Sequence, residues 1–146
     1  MKRKGPTLAD AVALAARVHR DQCDKARQPY ILHPLRVMLT QRHEAAQMVA
    51  VMHDVFEDST TTAADLRDAG YSEAVVTALE ALTRRKREKY EGFIERVAKN
   101  PLARGVKLAD LQDNLDNRRL LSLTDEDTER MKKYHKAWRQ LMTVEA

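Results

Sequence analysis

The sequence is poor in cysteine, glycine, proline and aromatic residues, and each shortage excludes a class of structure. The single cysteine, Cys23, excludes an internal disulfide framework and suits a reducing compartment. Four glycines and four prolines leave few turn signals, and β-branched runs are almost absent, so helices joined by short connections are favoured. Aromatic residues make up only 5%, so Leu, Val, Ala and Met have to build the core. We therefore predict an all-α fold, a compact single-domain helical bundle over residues 1–146.

The sequence also lacks the features of membrane and nucleic-acid-binding proteins. No apolar run approaches the roughly 20 residues that a membrane span needs. The net charge is +4, and the basic residues are spread along the chain rather than gathered beside aromatic side chains. We expect no membrane or nucleic-acid partner and a cytoplasmic location, and the mild positive charge fits a small anionic ligand. The oligomeric state is left open.

Short polar signals predict where several helices begin. Thr7, with Asp10 three residues later, has the pattern of a capping box for a first helix. Thr124 is expected to cap the last helix, which opens with three acidic residues. Pro34 suits the first position of another helix, and we expect it to push His33 out of helical geometry.

One stretch of the chain combines four polar groups with an apolar lead-in. It holds the pair His53 and Asp54, followed after two apolar residues by Glu57 and Asp58. We predict a helix over about residues 44–56. If helical geometry continues through residue 58, these four positions fall within an arc of about 140°. Three carboxylates on one face destabilise a helix unless a cation or a reaction uses them. The alternative is a solvated acidic face, but the apolar lead-in favours a buried helix whose polar cluster points into a site.

A second polar segment, KLADLQDN, begins at Lys107. Asp110 and Asn114 lie one helical turn apart beside an edge of leucines. Asp113 falls on the neighbouring edge and is predicted to be solvated. Asp110 has two interpretations: a surface residue paired with Lys107 or Arg104, or a partly buried carboxylate that needs a cation, which the apolar neighbours favour.

Four of these residues form a candidate metal-ligand set. They offer two imidazole nitrogens and two carboxylates: His33, His53, Asp54 and Asp110. That mixture suits Mn, Fe, Co or Zn rather than Ca or Mg. The other histidines are expected at the surface or behind the ligands: His19, His43 and His135.

The order of these four residues resembles the metal-binding signature of HD-domain phosphohydrolases. Within that superfamily, PYILHP at 29–34, HDVFED at 53–58 and KLADLQDN at 107–114 are similar to the hydrolase domain of RelA/SpoT-type enzymes. The chain is most similar to the stand-alone small alarmone hydrolases. The resemblance runs from the first helix to Tyr134.

The resemblance implies a function and roles for particular residues. The four candidate ligands would hold one Mn²⁺ per chain, with other divalent transition metals as alternatives. Members hydrolyse the 3′-pyrophosphate of guanosine tetra- or pentaphosphate, the alarmones (p)ppGpp of the stringent response, and release pyrophosphate. Some act on the adenosine equivalents, (p)ppApp. Glu57 and Asp58 match the pair that handles the attacking water. Four further residues match substrate-binding positions: Lys25, Asn114, Arg130 and Tyr134.

The sequence departs from the family pattern at the loop before PYILHP. Where longer members carry an Arg-Lys pair, with the Arg against the purine, this chain has Asp24 and Lys25, and Arg27 stands at a glycine position. We expect a site more tolerant of adenine, with the choice between guanine and adenine left open. The chain ends where longer members continue into a synthetase domain, so no alarmone synthesis is expected.

Two other functions stay open. The chain could be another HD phosphohydrolase acting on nucleotides, such as a 5′-nucleotidase, or a non-catalytic nucleotide-binding protein. The pair Glu57 and Asp58 favours the alarmone hydrolase, and the complete ligand set argues against a protein that only binds. Which of the two carboxylates is the general base is left open.

Overall fold

The computed structural model describes residues 4–144. Within that range the chain is helical and has no β-strand beyond one isolated bridge between Cys23 and Pro29. The helices, in chain order, are α1 Leu8–Val18, α2 Leu32–Leu39, α3 Glu44–Met52, α4 Val55–Asp58, α5 Ala63–Asp68, α6 Glu73–Ala81, α7 Tyr90–Ala98, α8 Pro101–Leu115 and α9 Asp125–Met142. The all-α prediction is confirmed. Over residues 4–144, no helix combines the length and apolar character needed to cross a bilayer.

Side-chain caps begin the first and last helices as predicted. The backbone N–H of Asp10 donates to the Thr7 hydroxyl, and the Asp10 carboxylate accepts the Thr7 N–H at 2.7 Å. Thr124 and Asp127 form the same reciprocal box at the start of α9, with the Thr124 N–H 2.9 Å from the carboxylate. Both boxes satisfy N–H groups that have no partner within their helix.

The central helix, α3, positions the site. It packs against α1, α2, α6 and α8, and six of its nine residues are buried. Alanine, valine, leucine and methionine dominate the core, and Phe93 is the only buried Phe, Tyr or Trp among residues 4–144. Because α2, α3 and α8 also pack against one another, side chains from these three helices converge at the end of α3.

The prediction of one continuous helix through Phe56 is wrong. α3 ends at Met52, His53 is its C-cap, and Asp54 leaves helical geometry with φ −105° and ψ 4° before α4 begins. The Asp54 carboxylate accepts a hydrogen bond from the Tyr30 hydroxyl, a contact from a distant part of the chain. This tertiary contact accompanies the break, and helical periodicity does not report it.

The prediction that His33 lies outside a helix is also wrong. α2 begins at Leu32, so His33 is its second residue and Pro34 its third. Proline is tolerated there because N–H groups in the first turn have no intrahelical partner. The N–H groups of Leu32 and His33 donate instead to the carbonyl oxygens of Pro29 and Tyr30, at 3.1 and 3.0 Å. His33 therefore stands on a fixed first turn.

Candidate metal centre and substrate cavity

A cavity of about 580 Å³ lies beside the end of α3. Residues of α2, α7, α8, α9 and the α3–α4 junction line it, together with the loop over 22–26. Its wall includes all the site residues predicted from the sequence: Lys25, His33, His53, Asp54, Glu57, Asp58, Asp110, Asn114, Arg130 and Tyr134. The fold thus brings these residues to one space, although they span more than a hundred positions of the chain.

Three of the four predicted ligands meet the distance requirement of a metal site. Donor atoms of His33, His53 and Asp54 all lie within 4.8 Å of one another. Asp110 adjoins this group, with Oδ1 2.9 Å from Nε2 of His33 and 3.3 Å from Nε2 of His53. Two imidazoles and two carboxylates therefore face a common point, which is the donor set that divalent transition metals accept.

The hydrogen bonding of His53 is consistent with a cation at this point. Its Nδ1 lies 2.6 Å from the carbonyl oxygen of Ala50, which can only accept, so Nδ1 carries the proton. In the neutral ring Nε2 then carries a lone pair and can only accept. This nitrogen is buried and has no hydrogen-bond partner within residues 4–144. Nε2 faces oxygens of Asp54 and Asp110 at 3.2 and 3.3 Å. Acceptors facing acceptors require a positive charge between them, so these residues fit a metal ion.

The pKa shifts report the same demand for positive charge. Burial would lower the pKa of His53, but the charges of Asp54 and Asp110 outweigh it and raise that pKa well above its ordinary value. Burial would raise the pKa of Asp110, yet Lys107 and the two histidines hold it well below its ordinary value. The centre therefore favours a cation beside these carboxylates.

Asp113 is not solvated, contrary to the prediction. Its Oδ2 lies 2.6 Å from Nδ1 of His33, and its side chain is 12% exposed. The Arg36 guanidinium donates to both carboxylate oxygens, at 2.7 and 2.9 Å. Asp113 lies one turn from Asp110 on the side of α8 that packs against α2. A carboxylate behind a histidine fixes the ring and directs Nε2 towards the candidate metal position.

Asp110 is buried, so its interpretation as a surface residue is wrong, although the pairing with Lys107 is present. The residue is 4% exposed, and its Oδ2 accepts from Lys107 Nζ at 2.8 Å. Asn114 donates to Oδ1 at 3.0 Å, which places the predicted substrate-binding amide beside the candidate ligands. Burial would lower the pKa of Lys107, but Asp110 raises it above the ordinary lysine value, so the pair stays charged.

Glu57 and Asp58 stand on α4, the turn that follows the His-Asp pair. Burial, and then the charge of Asp54, raise the pKa of Glu57 above its ordinary value. Asp58 Oδ2 lies 3.7 Å from Nδ1 of His19, which is 1% exposed and packs against the Tyr30 ring at 4.9 Å. His19 therefore lies behind the candidate site, the second of the two places expected for it.

Several cavity residues were missed by the sequence analysis. Lys133 places Nζ 4.3 Å from the centre of the Tyr90 ring, and Arg84 places Cζ 5.7 Å from the same centre. Lys133 lies one helical turn from Arg130, so its spacing from a predicted site residue was the available signal. Tyr30, within the PYILHP segment, was also missed and donates to the candidate ligand Asp54.

The loop before α2 is organised by Asp24. Its Oδ1 accepts the backbone N–H groups of Ala26 and Gln28, at 2.8 and 2.9 Å. Arg27 has φ +62°, a left-handed conformation that glycine adopts without strain. This is the position at which the resemblance leads one to expect glycine. Asp24 thus has a local structural role, and it also lines the cavity.

Comparison with known proteins gives relatives in sequence and in fold, although no protein-family model matches the chain. A protein of Aquifex aeolicus named guanosine-3′,5′-bis(diphosphate) 3′-pyrophosphohydrolase is 32% identical over 118 residues, which cover 72% of this chain and 17% of that protein. A protein of Brucella melitensis named GTP pyrophosphokinase rsh is 33% identical over 132 residues, 82% of this chain and 18% of that protein. The chain spans less than a fifth of the length of these curated relatives.

A solved structure shares the fold. It is described as a metazoan ortholog of SpoT that hydrolyzes ppGpp, and it matches with a TM-score of 0.77 and 24% sequence identity. The match covers all of this chain and 91% of that one. The arrangement of helices around the cavity is therefore one already found in a solved protein.

Proposed function

The chain is related in sequence and fold to RelA/SpoT-type HD hydrolases, and on that premise we propose that it removes the 3′-pyrophosphate of a purine nucleotide alarmone. The products would be pyrophosphate and a nucleotide with a free 3′-hydroxyl. The observation that carries the proposal is the buried, partnerless Nε2 of His53 facing two carboxylates inside the cavity. Nitrogen and carboxylate acceptors gathered at one buried point need a cation, which a metal ion would supply.

The proposed cofactor is one Mn²⁺, bound by His33, His53, Asp54 and Asp110. When bound, such a metal polarises a phosphoryl oxygen and lowers the pKa of coordinated water towards roughly 7. Asp113 and the carbonyl of Ala50 orient the two imidazoles by accepting from their Nδ1–H groups. Lys107 and Asn114 hold the Asp110 carboxylate in place.

Glu57 and Asp58 are proposed to accept the proton of the attacking water. The water oxygen bonds to the phosphorus next to the ribose, and the bond from that phosphorus to the ribose 3′ oxygen breaks. The ribose 3′ oxygen takes up a proton and becomes the free 3′-hydroxyl. Glu57 is the favoured general base because its pKa is raised towards neutral pH. A base whose pKa lies nearer the working pH can both accept and return a proton efficiently. The 3′-pyrophosphate itself is a dense anion, and the cavity offers Lys25 and Arg130 to bind it.

The purine is proposed to be guanine or adenine, with adenine tolerated better than in relatives that carry an arginine against the base. Asp24 occupies that position, and a carboxylate does not stack on a purine as a guanidinium does. One Asp24 oxygen is committed to its own loop, so the second is the only part of this side chain that can meet a base.

A nucleotide panel with Mn²⁺, read by product chromatography, tests the function. Guanosine and adenosine 3′,5′-bis(diphosphates) should give pyrophosphate and the nucleoside 5′-diphosphate. Release of phosphate from nucleoside 5′-monophosphates instead would make the chain a different HD phosphohydrolase. Binding without turnover would make it a nucleotide-binding protein.

A further inference from the structure

Two cavity cations, Lys133 and Arg84, lie against one aromatic ring instead of against carboxylates. Lys133 Nζ is 4.3 Å and Arg84 Cζ 5.7 Å from the centre of the Tyr90 ring. Among residues 4–144 neither forms an ion pair, and Arg84 Nε donates to the carbonyl oxygen of Glu88 at 2.8 Å. A ring face holds a cation without cancelling its charge, so both charges stay available to a ligand.

The other lysines of α9 are neutralised on the outside of the helix. Lys132 pairs with Glu129 at 3.1 Å, and Lys136 pairs with Glu91 at 3.3 Å. Lys133 lines the cavity, and no carboxylate pairs with it in the part of the chain that is described. Among the three lysines of α9, which are all exposed, Lys133 therefore combines an unpaired charge with a place in the cavity wall.

The phenol of Tyr90 lacks a partner at the same place. Its hydroxyl is shielded from solvent and makes no hydrogen bond within residues 4–144. A buried hydroxyl without a partner is unfavourable, and an anionic oxygen would satisfy it. Burial, and then the charges of Arg84, Lys107 and Arg130, lower the pKa of Lys133, as expected where positive groups await an anion.

We propose that Lys133, Arg84 and the Tyr90 hydroxyl form a subsite for the outer phosphate of the 3′-pyrophosphate. The assignment rests on the proposed function and adds to it, since these residues were not among the predicted substrate contacts. Lys107 connects the subsite to the candidate metal centre: it bonds to Asp110 at 2.8 Å, and its Nζ lies 5.3 Å from the centre of the Phe93 ring, which is 6.1 Å from the Tyr90 ring. An inner phosphate at the metal centre would therefore place the outer one against this subsite.

The same subsite would hold the product. Free pyrophosphate keeps the outer phosphate and gains negative charge when its bond to the ribose breaks, so its hold on these cations is at least as strong as the substrate's. Pyrophosphate is accordingly expected to inhibit the enzyme by competing with substrate. Release of pyrophosphate should then depend on Lys133.

Lys133→Met is the test, with Lys132→Met as the matched control on the same helix. Methionine keeps an unbranched chain against Tyr90 and removes the charge. Calorimetric titration of the Mn²⁺-loaded proteins with inorganic pyrophosphate should show about tenfold weaker binding for Lys133→Met, the scale of a lost charge-assisted hydrogen bond. Lys132→Met should bind as the parent does. Arg84→Met should weaken binding in the same direction.

Substrates separate this subsite from one for the 5′-phosphates. The KM of Lys133→Met should rise equally for a 3′-pyrophosphate with a 5′-diphosphate and for one with a 5′-monophosphate. Unchanged pyrophosphate affinity, or a KM rise confined to the 5′-diphosphate substrate, would overturn the assignment. The calorimetry needs no turnover, so it still tests the subsite if no alarmone is hydrolysed and the proposed function fails.

Discussion

Asp113 Oδ2 lies 2.6 Å from Nδ1 of His33, and 80 positions of the chain separate the two residues. The Arg36 guanidinium donates one hydrogen bond to each oxygen of the same carboxylate. His53 is fixed comparably, since its Nδ1 donates to the carbonyl of Ala50. Both imidazoles therefore have Nδ1 committed and present Nε2 to the same point, which is how the protein prepares two metal ligands.

Removal of a proposed ligand should remove the metal. His53→Ala and Asp110→Asn are expected to retain little Mn²⁺ after dialysis, because each deletes a donor at the centre of the cluster. Asn is chosen at 110 because a smaller residue would leave the half-buried Lys107 ammonium without its hydrogen-bond acceptor. Asp113→Asn should weaken metal binding by about 10–100-fold, as loss of a supporting carboxylate does. Elemental analysis by mass spectrometry measures all three.

The control for metal content is Asp68→Asn, which removes an exposed carboxylate on α5. It should keep the full complement of metal. Parental metal content in His53→Ala or in Asp110→Asn would show that the ligand assignment is wrong at that residue.

The carboxylates of α4 should be needed for turnover and not for the metal. Glu57→Gln and Asp58→Asn are each expected to keep Mn²⁺ and to lose about 10²–10⁴-fold in kcat, the usual contribution of a general base. Steady-state kinetics together with metal analysis separates the two effects. Glu95→Gln, an exposed change on α7, is the control. If both α4 variants turned over within a few-fold of the parent, water activation would belong to the metal alone.

The preference between adenine and guanine should depend on residue 24. We expect the ratio of kcat/KM for adenosine over guanosine 3′-pyrophosphates to fall in Asp24→Arg, because a guanidinium restores a stacking surface. Asp24→Asn is the matched control, since its amide oxygen can still accept from Ala26 and Gln28 while the charge is gone. A strong guanosine preference in the parent, unchanged in Asp24→Arg, would show that this position does not read the base.

Arg96 holds the segment between α6 and α7, residues 82–89, by hydrogen bonds. Its removal should destabilise the fold. Its guanidinium donates to both Glu88 oxygens, at 3.0 and 2.8 Å, and to three carbonyls at the end of α6: those of Glu80, Ala81 and Thr83. Arg96→Met should lower the melting temperature by roughly 5 °C, because several carbonyls lose a charged donor. Arg67→Met, which breaks an exposed pair instead, should change it far less.

The contribution of Glu88 should depend on pH in a defined window. Hydrogen bonds from Arg96 hold the pKa of Glu88 at about 2, below the ordinary value of 4.5. A depressed carboxyl pKa stabilises the folded state above the unfolded pKa and loses that effect as pH falls through the folded value. The gap in melting temperature between the parent and Glu88→Gln should thus be full at neutral pH and shrink between about pH 4.5 and 2. A constant gap would contradict the ion pair.

Local signals in the sequence predicted the parts of the fold that depend on neighbouring residues. The capping boxes at Thr7 and Thr124 need only residues three positions apart, so the printed sequence contains all the information. The all-α class follows similarly from composition. His53, Asp54 and Asp110 were identified because polar groups within apolar segments are costly without a function, and that cost is visible in the sequence.

Apart from the helical geometry of His33, which is local, the errors and omissions involve contacts between distant parts of the chain. Asp54 leaves the helix where it accepts from Tyr30, and Asp113 is half-buried because His33 and Arg36 pack against it. Helical periodicity gives the face of a residue but not what packs against that face. Lys133 illustrates the same limit, since the contact with Tyr90 distinguishes it from the other lysines of its helix.

The donors of the candidate centre come from the start of α2, the end of α3 and the middle of α8, so the centre exists only when the whole bundle is assembled. A metal bound there adds its binding free energy to that of folding, about 2.7 kcal/mol when free metal exceeds its dissociation constant a hundredfold. Metal scarcity would then enlarge the unfolded population that proteases degrade. The abundance of the protein in the cell, and not only its turnover, would follow the supply of the ion.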